Sequence, residues 1–385
     1  MDRRRFLGVV GVGLVGRGRS GGVVSAGDLP GVGGVGGTSG RRLQGPPGSV
    51  RPLWGRVWPV GGSVGQDDAD DVLQPGDGRS LGEALGALRP GETLWVDGDC
   101  EVDCTAERGL RLPRRCVLAS DRGSGRPGAR LFTRRSPRPL LRLEAGSRLT
   151  GLRIEGPLSG PTAYDWRLES AGAGVVGSRV EVDRCLLRGW GHAGVEVGRD
   201  GTVSGTHVHH CQLLDNALSG LGYGVVVRHG EALLQFLYAD GNRHAVACIG
   251  ARDAGYELLN SYFGPRTYAH VVDMHRGEEV HPALGRQAGR YLDVHHNVFR
   301  ATYGADGRPV SAVVVRGVPL TRSRVDHNWF AHAVAPVGPG RPGDAVVVDA
   351  VGRDATVVDV ADNWFGAATP PAWTGIPTGR VDAGA

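Results

Sequence analysis

The strongest constraint on the fold of this 385-residue chain is a short segment that recurs from about residue 180 onwards. Each copy alternates apolar and polar residues, as a strand does, and ends in a turn. The turn residues are separated by 26, 26, 23, 37, 31 and 35 positions and are Cys185, Cys211, Leu237, Asn260, Asn297, Asn328 and Asn363. Repeats of this length indicate a solenoid, in which each coil buries its apolar side chains against the next.

A second short apolar strand lies between successive turn residues. Its copies occupy positions 194–197, 224–227, 244–247, 270–273, 312–315 and 345–348. Each unit is therefore predicted to hold two strands and two or more turns, with loops of variable length. Coils stacked about 4.8 Å apart would pair their backbone groups, and an Asn repeated at one turn could hydrogen-bond to the Asn of the next coil. Cys185 and Cys211 occupy equivalent positions, which predicts small buried side chains.

The composition excludes the helical alternatives to a solenoid. The chain contains 65 Gly and 23 Pro, which cannot lie in the interior of helices at that density. A helical bundle or a coiled coil is therefore excluded. A β-propeller is the alternative fold, but its blades need four strands in about 40–50 residues and their own signatures, and none is present.

One short helix is predicted ahead of the repeats. Ser80 and Glu83 have the spacing of a capping box. Leu81, Ala84 and Leu85 would then lie on one helical face, and the helix would end at the Pro-Gly pair at 90–91. A helix in this position could cover the open end of a solenoid core.

Together these segments resemble the right-handed parallel β-helix superfamily of pectate-lyase-like proteins. The resemblance rests on the HNVF and HNWF turns at 296–299 and 327–330, the paired short strands, and the leading PGETLWV segment at 90–96. It covers residues 75–366 and implies an all-β fold, a right-handed parallel β-helix with a short N-terminal capping helix. The superfamily includes polysaccharide lyases, glycosidases and uronate epimerases. The resemblance therefore implies a protein that acts on polysaccharide.

The N-terminus resembles a twin-arginine export signal over residues 1–26. Arg3 and Arg4 precede an apolar stretch of 11 residues at 6–16, and Ser25 and Ala26 are typical of a cleavage site. Residues 27–74 are rich in Gly and Pro, which predicts a linker or a disordered arm, and 367–385 are predicted as a C-terminal tail. These features predict an exported protein, extracellular or at the cell surface, with no membrane span in its mature chain.

The charge distribution argues against a nucleic-acid partner. All 44 basic residues are Arg, and five of them lie within 1–26 with one Asp, so the formal net charge of +4 belongs to that segment. The remaining chain is neutral and lacks the basic footprint of nucleic-acid proteins. An anionic polysaccharide is the predicted partner. Residues 105–150 hold twelve Arg against three acidic residues, which favours either a polyanion-binding face or a solvated surface.

The densest polar segment lies at 240–297. If Ala245 aligns with Val271 in the next coil, His244 and His270 stack on the same face. The same column would bring Arg316 close to His275. An error of one residue in this register would invert the face. The polar segment predicts an active-site cleft on the outer face of the coils, beside the loop 276–290.

Elimination from a uronate needs a base for the C5 proton, a cation for the carboxylate and an acid for the leaving oxygen. His244 is predicted as the base because its pKa is close to neutral pH and the chain has no Lys. Arg243 or Arg316 would bind the carboxylate through the planar guanidinium, and Tyr256 would be the acid. His270 completes the predicted catalytic set. The substrate-binding candidates are Asp240, Glu257, His275 and His296.

Two other functions stay open from the sequence. A glycoside hydrolase would need two carboxylates facing a sugar about 5–10 Å apart, and Asp240, Glu257 and Asp273 are candidates. A non-catalytic glycan-binding or surface protein would use the same residues as a solvated polar face.

No cofactor or metal is predicted. His270, Asp273 and His275 are weak metal-ligand candidates because their spacing matches no strong zinc motif, and calcium at an acidic turn stays open. The six Cys allow either buried thiols or a disulfide such as Cys104–Cys116.

Overall fold

The structure is a computed structural model that describes residues 62–279, 281–333, 343–349 and 357–366. The predicted export signal at 1–26, most of the predicted linker and the predicted tail at 367–385 lie outside the described residues. A 3₁₀ turn at Gln66–Asp68 and a strand at Asp71–Leu73 fall within the segment predicted as a linker. The strand pairs with Thr93–Val96, so the sheet structure begins a few residues before the predicted start at 75.

The described residues form three parallel sheets. Sheet A has eleven strands: Asp71–Leu73, Thr93–Val96, Val117–Ala119, Arg148–Thr150, Glu181–Asp183, Val203–His209, Gly230–Gln235, Gly255–Leu259, Tyr291–His295, Ser323–Asp326 and Val358–Ala361. Sheet B has ten: Glu101–Asp103, Arg130–Phe132, Arg153–Glu155, Leu186–Arg188, Gln212–Leu214, Tyr238–Asp240, Tyr262–Phe263, Val298–Phe299, Trp329–Phe330 and Trp364–Phe365. Sheet C has nine: Leu110–Leu112, Leu141–Leu143, Ala171–Val175, Ala193–Val197, Tyr223–Val227, His244–Cys248, Val272–Met274, Val313–Val315 and Val346–Val348.

From Thr93–Val96 onwards the strands follow in the order A, B, C, one to each sheet per coil, and each strand pairs with the equivalent strand of the next coil; Asp71–Leu73 has no sheet B or C strand between it and Thr93–Val96. Glu181–Asp183, Leu186–Arg188 and Ala193–Val197 make up one such coil. The fold is therefore a right-handed parallel β-helix, as predicted, and the β-propeller alternative is excluded. The prediction of two strands per coil was wrong. The strands of sheets A and B meet at one residue with a left-handed backbone, such as His210 (φ 53°), so in the sequence they resemble a single strand.

The predicted asparagine ladder is present and lies inside the coils. The side-chain amide of Asn297 donates to Oδ1 of Asn328 (3.0 Å), and that of Asn328 donates to Oδ1 of Asn363 (3.1 Å). One assignment was wrong by a residue. Asn260 is the left-handed turn residue (φ 50°), and Ser261 takes the inward position, where its backbone N–H donates to Oδ1 of Asn297 (2.9 Å).

The core also contains a stack of aromatic rings that follows the repeated Phe of the HNVF and HNWF turns. The ring centroids of Phe263, Phe299 and Phe330 are separated by 4.7 and 5.0 Å. All six Cys of the chain are buried free thiols. The disulfide considered for Cys104 and Cys116 is therefore absent, because both side chains pack as separate members of the hydrophobic core.

The predicted capping helix spans Leu81–Ala87. Ser80 Oγ accepts from the Glu83 N–H (3.1 Å), and the Ser80 N–H donates to Glu83 Oε2 (2.8 Å), which completes the capping box. Leu81 is fully buried and the helix packs against Leu110–Leu112, the first strand of sheet C. No helix in the described part of the chain is long and apolar enough to cross a membrane.

Candidate functional site

The outer face of sheet C carries a buried group of polar side chains. In this sheet Val246, Val272 and Met274 point into the core, so Asp273, which is out of phase with them, faces outward. The pairing of Val246 with Val272 and of Met274 with Val315 matches the register expected from the sequence.

Asp273 is the centre of this group and is 0% exposed. Arg316 donates to it from Nε to Oδ1 (2.9 Å) and from Nη2 to Oδ2 (2.6 Å). The Nε2 atoms of His275 and His244 lie 3.2 and 3.4 Å from the same Oδ2. Glu279 lies 3.7 Å from Arg316 Nη1. These five side chains are called the sheet C cluster.

The two imidazoles of the cluster are each fixed through Nδ1. His244 Nδ1 lies 2.5 Å from the backbone oxygen of His270, and His275 Nδ1 lies 2.7 Å from Glu279 Oε2. The opposite nitrogen, Nε2, is buried in both rings and has no hydrogen-bond partner among the described residues. Two buried acceptor or donor atoms of this kind are unusual, because buried polar groups are normally paired.

The His244 ring of the sheet C cluster is also part of a stack of three rings. The His244 ring lies between Tyr223 (centroids 5.7 Å apart, interplanar angle 13°) and His270 (5.8 Å, 20°). The predicted stacking of His244 and His270 is present. His244 itself is 0% exposed and Tyr223 is 7% exposed, whereas His270 is partly exposed. The imidazole predicted as the base thus lies between two other rings and is closed off from solvent.

Tyr223 is the member of the site that sequence reasoning missed. It pairs with His244 in the register of sheet C and lies one coil before the polar segment at 240–297. Its position at the start of the equivalent strand could have identified it.

The two arginines predicted as carboxylate ligands have different surroundings. Arg316 is already paired with Asp273, as described above. Arg243 is half-buried and makes no side-chain ion pair with another described residue, and its Nη1 is buried without a hydrogen-bond partner. Of the two, Arg243 is the guanidinium with free hydrogen-bonding capacity.

The electrostatics of the cluster follow from burial and from these charges. Burial lowers the pKa of His244 well below its usual value, and the charge of Arg243 lowers it further. Burial also lowers the pKa of His270. Burial alone would raise the pKa of the Asp273 carboxyl, but the neighbouring histidines and Arg316 lower it below its usual value. The carboxylate is therefore ionised and the His244 ring is neutral at pH 7.

The remaining predicted site residues lie elsewhere. Tyr256 is fully buried in the hydrophobic core, so it does not face the sheet C cluster. Asp240 ends a strand of sheet B and accepts from the backbone N–H and Nε of Arg266 (2.8 Å each). Glu257 faces outward from sheet A and lies 3.0 Å from His295.

His296 occupies a left-handed turn beside sheet A and stacks on His327, with ring centroids 5.0 Å apart. The structure therefore places together four of the residues that the sequence predicted for the site; they are His244, His270, His275 and Arg316. The sequence also grouped with them residues that the three sheets place on other faces.

A second His-carboxylate group lies on the outer face of sheet A. It consists of Glu181, Asp183 and His209. His209 Nε2 bonds to Glu181 (3.0 Å), and Asp183 accepts two 2.9 Å hydrogen bonds from Arg148. The protein itself therefore provides partners for this group, unlike the sheet C cluster.

The arginine-rich segment at 105–150 is largely neutralised by ion pairs with acidic residues on other coils. Seven of its twelve Arg lie within 4 Å of a carboxylate; they are Arg111, Arg126, Arg130, Arg134, Arg138, Arg142 and Arg148. This pairing favours the solvated-surface interpretation of the segment over a separate polyanion-binding face.

Fold and site together define a right-handed parallel β-helix with a polar cluster on one outer face. The alginate lyase from Paenibacillus sp. str. FPU-7 has a similar structure, with a TM-score of 0.52 and 14% sequence identity, over 77% of this chain and 96% of that chain. The pectate lyase Pel9A is similar over 78% of this chain and 82% of its own, with 12% identity and a TM-score of 0.48. No protein-family model matches the chain, and no curated protein does.

Proposed function

We propose that the protein is a polysaccharide lyase that cleaves an anionic, uronate-containing glycan by β-elimination at the outer face of sheet C. The observation that carries the proposal is the unpaired guanidinium of Arg243, which lies close enough to the stack of Tyr223, His244 and His270 for its charge to lower the pKa of each ring. A half-buried Arg without an ion-pair partner is suited to bind a carboxylate in two hydrogen bonds. The fold shared with an alginate lyase supports the substrate class by analogy.

The exposures of the stacked rings suggest how the roles are divided. His270, which is partly exposed, would take the C5 proton, and the electron pair of that C–H bond would form the C4–C5 double bond. The bond from C4 to the leaving oxygen would break, and the proton now held by His270 would pass to that oxygen, so that one imidazole serves first as base and then as acid. Arg243 would stabilise the negative charge that develops on the carboxylate.

The buried residues would act through these groups. His244 is too deeply buried to contact a sugar and would position His270, whose backbone oxygen accepts its Nδ1–H. Arg316, which is paired with Asp273, would support the floor of the site. His270 also takes the role of the acid that the sequence assigned to Tyr256, because Tyr256 lies in the core.

A second arginine group on the same face suits a long anionic polymer. Glu196, which is 0% exposed, is approached by Arg199 (3.1 Å), Arg228 (3.4 Å) and Arg138 (3.7 Å). It aligns with Asp273 three strands along sheet C, about 14 Å away at the usual strand spacing. Arg228 is 32% exposed and could contact a further uronate of the same chain. If the predicted export signal is used, the substrate is an extracellular polysaccharide.

The test incubates the purified full-length protein with alginate, polygalacturonate or hyaluronan. The ultraviolet absorbance of the unsaturated uronide ends measures elimination. We expect absorbance to rise on at least one of these polymers. His270→Gln should lower kcat by about 10²–10⁴-fold, the usual contribution of a positioned acid or base. Arg243→Gln should lower kcat/KM while far-ultraviolet circular dichroism stays unchanged.

Arg308→Gln is the matched control, because it also removes one guanidinium charge but from a side chain that is 85% exposed. It should keep the activity of the parent. Absence of absorbance on every polymer, or equal activity of parent and His270→Gln, would contradict the proposal. Binding of the same polymers without cleavage, weakened by Arg243→Gln, would instead identify a glycan-binding protein.

A further inference from the structure

The two unpaired Nε2 atoms of the sheet C cluster point to a function that elimination does not require. His244 Nδ1 faces a backbone carbonyl, which can only accept, so the proton of this ring lies on Nδ1. His275 Nδ1 faces the Glu279 carboxylate, which also accepts. A neutral imidazole protonated at Nδ1 has its lone pair on Nε2. With both rings neutral, the state that a metal ion requires of its imidazole ligands, both lone pairs belong to nitrogens beside the same carboxylate oxygen.

The spacing of these atoms fits a bound metal ion. His244 Nε2 and His275 Nε2 lie 3.4 and 3.2 Å from Asp273 Oδ2, and all three ligand atoms lie within 4.8 Å of one another. Ligand atoms about 2.0–2.1 Å from a tetrahedral zinc ion are about 3.3 Å apart. The two measured separations match that value closely.

We propose that His244, His275 and Asp273 bind one divalent transition-metal ion of the zinc type. Two imidazole nitrogens and one carboxylate oxygen are a ligand set that suits zinc or cobalt better than calcium, which prefers oxygen ligands alone. Three protein ligands leave at least one coordination position for water or a substrate oxygen, as in catalytic zinc sites.

The surrounding residues have the arrangement that metal sites usually show around their ligands. Ligating histidines commonly donate their second N–H to a carbonyl or a carboxylate, which here are the His270 backbone oxygen and Glu279. Arg316 uses one lone pair on each oxygen of Asp273, and each carboxylate oxygen has a second lone pair. The positive charge of Arg316 is offset by Glu279, which lies 3.7 Å away.

A comparison with the sheet A group of Glu181, Asp183 and His209 supports the assignment of the metal site to the sheet C cluster. There the single His has its Nε2 bonded to Glu181, and Asp183 is held by Arg148. Only in the sheet C cluster, among the described residues with this composition, are the imidazole nitrogens left unpaired at a common carboxylate. The proposal therefore predicts one metal ion per chain.

The experiment measures metal binding directly and uses no polysaccharide, so its outcome is independent of the proposed lyase activity. Untagged full-length protein is stripped with a chelator and titrated with Co²⁺, which is followed by its visible absorption, and then with Zn²⁺ as a competitor. We expect one equivalent of Co²⁺ to produce a d–d band, and Zn²⁺ to abolish it. The melting temperature should rise with either ion.

Variants identify the ligands. His275→Gln should lose the band, because His275 is a ligand and its side chain is 16% exposed. Glu279→Gln, which changes the partner of His275 Nδ1 and removes a negative charge 3.7 Å from Arg316 but keeps all three ligands, should weaken binding about 10–100-fold. His229→Gln is the matched control and should bind like the parent, because it also removes a His paired with a carboxylate (Asp253, 3.1 Å).

Absence of a Co²⁺ band in the parent, or an unchanged band and affinity in His275→Gln, would overturn the proposal. Stabilisation by Ca²⁺ but not by Co²⁺ or Zn²⁺ would overturn the assigned class of ion. If His275→Gln does not fold by circular dichroism, Glu279→Gln decides: unchanged affinity for Co²⁺ would count against the site.

Discussion

The side-chain amide of Asn297 donates to Oδ1 of Asn328 across a 3.0 Å hydrogen bond, and both residues are 0% exposed. Asn297 also donates to the backbone oxygens of Leu258 and His295 (2.9 Å each). One buried amide therefore links adjacent coils at a point from which water is excluded.

We expect Asn297→Ala to lower the free energy of unfolding by about 2–3 kcal/mol, because it leaves buried backbone groups without partners. The measurement is equilibrium unfolding in urea. Asn363→Ala is the matched control, since Asn363 is the last residue of the ladder and is partly exposed. It should cost less than Asn297→Ala. Equal losses for the two variants would show that position in the ladder has no effect on stability.

The carboxyl of Asp293 should make stability depend on pH. Burial raises its pKa to about 6, although the charge of Arg324 opposes the rise. The folded protein therefore binds more protons than the unfolded chain between about pH 4 and 6, and this contribution to stability is lost as pH rises through 6. Asp293→Asn should raise the free energy of unfolding at pH 8 by up to about 3 kcal/mol.

The effect should shrink towards pH 4, where the parent carboxyl is protonated in the folded state. Urea unfolding of parent and variant at both pH values measures this difference. A variant that is destabilised at pH 8, or a difference that does not change with pH, would contradict the assignment of the raised pKa to Asp293.

The thiols should be inert in the folded protein. All six Cys are buried, and burial raises the pKa of the Cys104 thiol to about 12, so almost no reactive thiolate is present at pH 8. A thiol reagent should modify none of them in native buffer and all six in guanidinium. Rapid modification of the native protein would show that the core opens, and fewer than six thiols after unfolding would show a disulfide.

The sequence was sufficient to predict the coils because stacking repeats one pattern, and it predicted the neighbours His244 and His270 because they share a register. It could not predict the sheet C cluster around Asp273, because this cluster depends on side chains from separate coils joined by loops of unequal length. Tyr256 shows the limit most clearly. Tyr256 and Glu257 are adjacent, yet the side chain of Tyr256 points into the core and that of Glu257 points outward. Unless it is known which residues of a strand point inward, a residue chosen from the sequence is as often on the core face as on the outer face.

Four of the five side chains of the sheet C cluster come from three successive strands of one sheet or from the residue just after a strand; they are His244, Asp273, His275 and Arg316. In a solenoid each turn is held mainly by its neighbours, so partially wound forms can exist that have a sound core and no complete cluster. The cluster is therefore complete only when all three of these coils are folded. The proposed activity or metal binding of the cluster would show whether these three coils are folded. It would give no information on the folding of coils at the distant ends of the solenoid.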